Sequence, residues 1–142
     1  MTGTPGALPQ KVAVIGAGGI GGGWAALCAS AGWPVVIYDT DAHAVEDALE
    51  AIPRRARALI ALDRATPGIV ERGLLELRQA KSLLQAVREA DWVIEAIHED
   101  LGAKQRLLES IEQVADPHAI VTSSSSGLVP GELFGRLLQG SR

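Results

Sequence analysis

Residues 11–41 read KVAVIGAGGIGGGWAALCASAGWPVVIYDTD. Val12–Ile15 form a short β-branched run that ends on Gly16, the pattern of a strand buried on both faces. From Gly19 the period lengthens to that of a helix, with Ile20, Trp24, Leu27, Cys28 and Ala31 on one face. Gly32 is placed to end that helix as a C′ glycine, and Val35–Tyr38 repeat the buried-strand pattern. Between the first strand and the helix, five glycines fall within Gly16–Gly22. Each glycine in a helix costs about 1 kcal/mol relative to alanine. A turn this rich in glycine is therefore expected to serve close approach rather than stability.

GAGGIG, Gly16–Gly21, fits the pattern G-x-G-x-x-G. It sits directly between a predicted strand and a predicted helix. An acidic residue, Asp39, closes the second strand 23 residues beyond Gly16. That combination points to a dinucleotide. Gly16 would make the tight turn, Gly18 would let the backbone approach a pyrophosphate, and Gly21 would let helix and strand pack closely. The helix N-terminus offers free N–H groups and partial positive charge to the phosphates. Asp39 would accept hydrogen bonds from both hydroxyls of the adenine ribose. A carboxylate there disfavours a 2′-phosphate, and no arginine follows in DTDAHA, so NAD is expected over NADP. Gly22 and Gly23 exceed the pattern; close packing of a second domain or of a substrate is one use for them.

The rest of the chain continues the alternation. Val45, Leu49, Ile52, Ala56 and Leu59 keep helical spacing behind a cap at Thr40 or Asp41. Pro53 predicts a kink or break in that helix. A short helix ending at Gly73, a third strand within LLELRQA and a helix over Lys81–Ala90 follow. DWVIEAI reads as a strand, Leu101–Ala115 as an amphipathic helix begun by Asp100, HAIVTS as a fifth strand, and Pro130–Leu138 as a last helix. Alternation of this kind predicts an α/β fold: a Rossmann-type, doubly wound parallel sheet with helices on both faces. Residues 1–10 read as a flexible leader and 11–142 as one domain.

Composition narrows the class. The chain has 142 residues, 47% apolar but only 4% aromatic, so aliphatic side chains and alanine build the core. Its 13 basic residues against 17 acidic ones give a net charge of −4 with no basic block, which argues against a nucleic-acid partner. Cys28 is the single cysteine, so neither an internal disulfide nor a cysteine-based metal site is expected. No apolar run reaches the length of a membrane span and no signal peptide is visible, so a cytoplasmic protein without a membrane partner is the expectation.

ADWVIEAIHEDLGAKQRLLESIEQVADPHAIVTSSSSGLVP, residues 90–130, resembles the 3-hydroxyacyl-CoA dehydrogenase family. That family shows a strand ending in V-I-E-A, then E-[DN]-L-x-x-K, a helix, and a strand ending in a serine/threonine-rich turn. GGWAALCASAGWPVVIYD and SSSSGLVP resemble one branch of it, which includes L-gulonate 3-dehydrogenase (lambda-crystallin) and L-carnitine dehydrogenase. The resemblance covers about residues 11–140. It implies an NAD-dependent dehydrogenase whose substrate is a small 3-hydroxy acid or an acyl-CoA. It further implies that Gly19 and Ile20 offer backbone to the pyrophosphate, that Glu99 and Lys104 lie at the cofactor, and that Ser126 hydrogen-bonds the reacting oxygen, with Ser125 next in register.

The sequence also departs from that family. His98 replaces a proline or apolar residue, and the segment between Ile60 and Leu74 is shorter. The family's general base is a histidine in an H-P-x-N-P-like motif. The chain stops at QGSR before any such motif, and His43 and His118 are poorly placed to act as the base. The expectation is a cofactor-binding half, inactive alone, without the family's helical C-terminal domain through which a full-length homodimer would form. The alternative is a non-catalytic nucleotide-binding or crystallin-like structural module.

Overall fold

The structure, a computed structural model, describes residues 9–138. Its strands are β1 (Val12–Ile15), β2 (Val35–Tyr38), β3 (Arg78–Gln79), β4 (Trp92–Glu95) and β5 (Ile120–Ser123). Its helices are α1 (Gly19–Ser30), α2 (Ala42–Ala61), α3 (Pro67–Leu75), α4 (Leu83–Val87), α5 (Leu101–Val114) and α6 (Pro130–Phe134). All strand pairs are parallel, in the order β3-β2-β1-β4-β5. The order reverses between β1 and β4, where parallel α/β sheets leave a ligand crevice beyond the strands' carboxyl ends. Register is even across the sheet: Ile15 lies opposite Tyr38 and Glu95, and Glu95 opposite Ser123. The loops after β1, β2, β4 and β5 therefore emerge at one level.

Alternate side chains of each strand feed two apolar layers. Val12, Val14, Val35, Ile37 and Ile94 meet α1, α2 and α3 on one face. Ala13, Ile15, Val36, Val93 and Val121 meet the opposite layer, where Ala86, Leu108, Ile111 and Leu133 from α4, α5 and α6 are buried. At the amino ends of the strands, Trp92 packs edge-on to both Trp24 and Trp33, with ring centroids 6.0 Å apart in each pair.

Several expectations change on folding. In α1, Ile20 and Leu27 are 64% and 50% exposed, while Gly21, Gly22, Ala25, Ala26, Cys28 and Ala29 face inward. The helix sits so close to the sheet that only small residues fit between them, and Ile20 and Leu27 are turned away. Pro53 does not break α2, which runs unbroken through it. Val45, Ala48, Ile52 and Ala56 are buried along one face and carry the helix past the missing hydrogen bond. LLELRQA yields a strand of only two residues, because α3 runs through Gly73 to Leu75 before Arg78 and Gln79 pair with β2. The helix expected over Lys81–Ala90 spans Leu83–Val87, and the last helix ends at Phe134. Of the expected leader, residues 1–8 lie outside the described residues. Gln10 is anchored, its amide donating to Asp91 Oδ2 at 2.8 Å.

Candidate functional site

The level ends of β1, β2, β4 and β5 enclose an open cleft of about 810 Å³, lined by the glycine turn, by Asp39 and by the loops carrying Glu99 and Ser126. Its volume is within the range of small-molecule and cofactor sites.

The near wall is backbone. Gly16 has φ +111°, a conformation side chains rarely adopt, and a Cβ there would stand 2.5 Å from the Ala96 carbonyl oxygen. A Cβ on Gly21 would overlap the Gly16 carbonyl oxygen, so α1 can leave the strand at this angle only without one. Gly18 and Gly19 are different. Nothing lies within 4 Å of a Cβ built on either, and both line the cleft. Gly22 is also explained: Arg55 reaches across from α2, donates to the Gly19 carbonyl at 3.2 Å, and occupies the space a Gly22 side chain would need. Gly23 faces open space.

Helix capping sets α1 apart. Asp41, Ser82 and Asp100 cap α2, α4 and α5 with side-chain oxygens, and α3 and α6 begin with proline. Only α1, among the described helices, begins with neither: its N-cap is Gly18, with no side-chain cap and no acid in its first turn. Its first N–H groups open on the cleft beside Gly18 and Gly19. They form a site for an anion, with the helix dipole behind it.

Asp39 stands at the end of β2. Its two oxygens accept one backbone N–H each, from Ala17 at 2.7 Å and Asp41 at 2.9 Å. A carboxylate offers about four acceptor positions, so two remain for ligand hydroxyls. The same bonds tie Asp39 to the glycine turn. Uncapped helix, open glycines and half-engaged carboxylate together fit a dinucleotide with a free ribose diol.

The far wall is charged and hydroxylated. Glu99 accepts from the Ser125 hydroxyl and, at 3.1 Å, from the Gly127 amide. These bonds, the serine's first, hold its carboxyl below the usual glutamate range, with Lys104 adding to the effect and partial desolvation opposing it. Ser126 lines the cleft with no hydrogen-bond partner among the described residues, whereas Ser125 is committed to Glu99. His98 also lines the cleft, and His43 and His118 are exposed away from it.

Lys104 does not reach the cleft. It is 1% exposed, and its ammonium contacts Glu95 Oε1 at 2.6 Å, the Ile97 carbonyl at 3.0 Å and Glu99 Oε2 at 3.7 Å. The structure thus brings Gly16, Gly18, Gly19, Ile20, Asp39, Glu99 and Ser126 to one cavity. It keeps Gly21 beneath them as packing and Lys104 behind them. Glu95 and Ser123 went unnoticed in the sequence, although a glutamate ending the apolar run WVIE was a visible signal. Cys28 is buried, which pushes its thiol up to about 11 and keeps it in the core.

A five-stranded parallel sheet with a glycine turn and a carboxylate beside it at the switch point has the architecture of a dinucleotide-binding domain. Residues 11–142 match the family described as "3-hydroxyacyl-CoA dehydrogenase, NAD binding domain", and the chain belongs to that family. It is 37% identical over 131 residues to a lambda-crystallin homolog of Bos taurus, covering 91% of this chain and 40% of the bovine one. It is 36% identical over 127 residues to an L-carnitine dehydrogenase/betainyl-CoA thioesterase of Agrobacterium fabrum, covering 87% and 25%. The crystal structure of 3-hydroxybutyryl-CoA dehydrogenase from Escherichia coli superposes with a TM-score of 0.80 at 32% identity, over 92% of this chain and 27% of that one. The chain thus spans well under half of each of these relatives.

Proposed function

We propose that this chain is the cofactor half of an oxidoreductase that oxidises a secondary 3-hydroxyl to a ketone by hydride transfer to NAD. The observation that carries the reading is the conjunction of the uncapped α1 with Asp39 on one side of the cleft and Glu99 and Ser126 on the other. Bound NAD would supply the hydride acceptor. Gly18, Gly19 and Ile20 would hold the pyrophosphate through backbone N–H groups, with Gly16 and Gly21 shaping the turn. Asp39 would hold the adenine ribose. Glu99, steadied by Lys104, would face the nicotinamide half, and the Ser126 hydroxyl, which can donate and accept, would orient the reacting oxygen as alcohol or ketone.

The substrate class we infer is a small 3-hydroxy acid or its acyl-CoA, in keeping with relatives named for 3-hydroxybutyryl-CoA and carnitine. The general base is assigned to polypeptide outside residues 11–142. Identity to a lambda-crystallin homolog supports a second reading, a nucleotide-binding structural protein. The native gene product, assayed for NADH formation on 3-hydroxybutyryl-CoA, L-gulonate and L-carnitine, separates the two. The dehydrogenase reading expects turnover on one of them, lowered about 10²-fold by Ser126→Ala. NAD binding with no turnover on any 3-hydroxy compound favours the structural protein.

A further inference from the structure

Behind the far wall lies a polar cluster that the cleft alone does not require. Glu95 is the last residue of β4, fully buried, and opposite Ser123 in register. Its Oε1 accepts from Lys104 Nζ at 2.6 Å and from the Ile97 amide at 2.8 Å. Its Oε2 accepts from the Ser123 hydroxyl at 2.5 Å. Ser123 Oγ in turn accepts from the Ser125 amide at 3.2 Å, and Ser125 donates to Glu99, which stands 3.7 Å from Lys104. The contacts close a ring: Glu95, Lys104, Glu99, Ser125, Ser123 and back to Glu95.

We propose that Glu95 is a positioning residue for the cofactor site, which it never touches. One buried carboxylate holds Glu99 through Lys104 and holds the serine turn through Ser123. This extends the cofactor reading above and rests on it. Two observations carry it. First, a buried ion pair is a poor way to gain stability, because an apolar pair of like volume avoids the desolvation cost; its partners here, Lys104 in the first turn of α5 and Ser123 at the end of β5, adjoin the two loops that form the cleft's far wall. Second, the ring reaches the cleft at Glu99, whose side chain is 46% exposed and stands on the cleft wall. A change at Glu95 therefore reaches the cleft through Glu99, through the serine turn and through Ile97, whose amide it accepts from.

The test compares Lys104→Met, Glu95→Gln and the double variant Glu95→Gln/Lys104→Met, reading thermal midpoint, NAD affinity by calorimetry, and the Gly127 amide resonance of the unliganded chain. Lys104→Met should lower the midpoint, because it leaves a buried carboxylate uncompensated. The double variant should recover that midpoint, yet bind NAD about fivefold or more weaker than wild type and show a displaced Gly127 amide. A double variant that recovers the midpoint with NAD affinity within about twofold of wild type and an unmoved Gly127 overturns the proposal. Should these variants not fold, Ser123→Ala removes one arm at a half-buried position. It should weaken NAD about threefold or more at near wild-type midpoint, and an affinity within about twofold overturns the proposal. Wild-type chain that takes up no NAD overturns the cofactor reading instead; Gly127 in Glu95→Gln then decides the positioning by itself, and an unmoved resonance rejects it.

Discussion

The β1–α1–β2 half and the β4–α5–β5 half end at the same level of one sheet, yet they build their walls in opposite ways. The first works by removing side chains: Gly16 and Gly21 allow backbone to touch backbone, and Gly18 and Gly19 leave room for a ligand. Its carboxylate at Asp39 is fastened by two amides. The second works by burying charge: Glu95 and Lys104 are nearly inaccessible, and the hydroxyls of Ser123 and Ser125 connect them to the surface. The first arrangement is mainly steric. The second depends on ionisation and on complete satisfaction of every partner.

The sharpest way to break the first half is Gly21→Ala. The new Cβ meets the Gly16 carbonyl oxygen, which belongs to the turn and cannot rotate away. A loss of about 3 kcal/mol is expected, at the upper end of overpacking costs, measured by urea denaturation followed through tryptophan fluorescence. The three tryptophans sit at the opposite end of the strands and report unfolding without interference from the cleft.

Acid should separate the halves next. Glu99 is held below the ordinary glutamate range, so its contribution is present above the unfolded-state value and is lost as pH falls through the depressed one. As pH falls below the ordinary glutamate range, the Gly127 amide should shift and the thermal midpoint should fall in the same window. Glu99→Gln should flatten that acid limb. In the glycine turn the Gly16 amide bonds only the Tyr38 carbonyl, so its resonance is the reference that should stay in place until the chain unfolds.

The smallest effect is expected at Gly23. It is helical, and a Cβ there meets nothing, so Gly23→Ala should stabilise the chain by about 0.5–1 kcal/mol by restricting the unfolded state. Destabilisation in the same urea experiment would show that Gly23, too, serves close approach.

The same contrast explains what could be read from residues alone. The glycine turn was legible because its chemistry is local: strand, turn, helix and Asp39 lie within one stretch of sequence. The strands Val12–Ile15 and Val35–Tyr38 and the caps Asp41 and Asp100 were legible for the same reason. The inward face of α1 departs from its hydrophobic pattern, because close packing favours Gly21, Ala25 and Ala29 over Ile20 and Leu27. The third strand was overestimated because α3 took residues that the apolar pattern left undecided. The role of Glu95 is not legible in the sequence because its partners, Ser123 and Lys104, come from other elements, and folding turns Lys104 toward Glu95 rather than into the cleft. Ring contacts of this kind exist only once β4, β5 and α5 have assembled.

The central claim is that the cleft takes NAD, with Asp39 reading the ribose. Calorimetric titration of the chain with NAD, with NADP, and of Asp39→Ala with NAD tests it most directly. NAD should bind, with NADP at least about tenfold weaker and Asp39→Ala weakening NAD by a similar factor. Equal affinity for NAD and NADP, or NAD binding unchanged by Asp39→Ala, would contradict it.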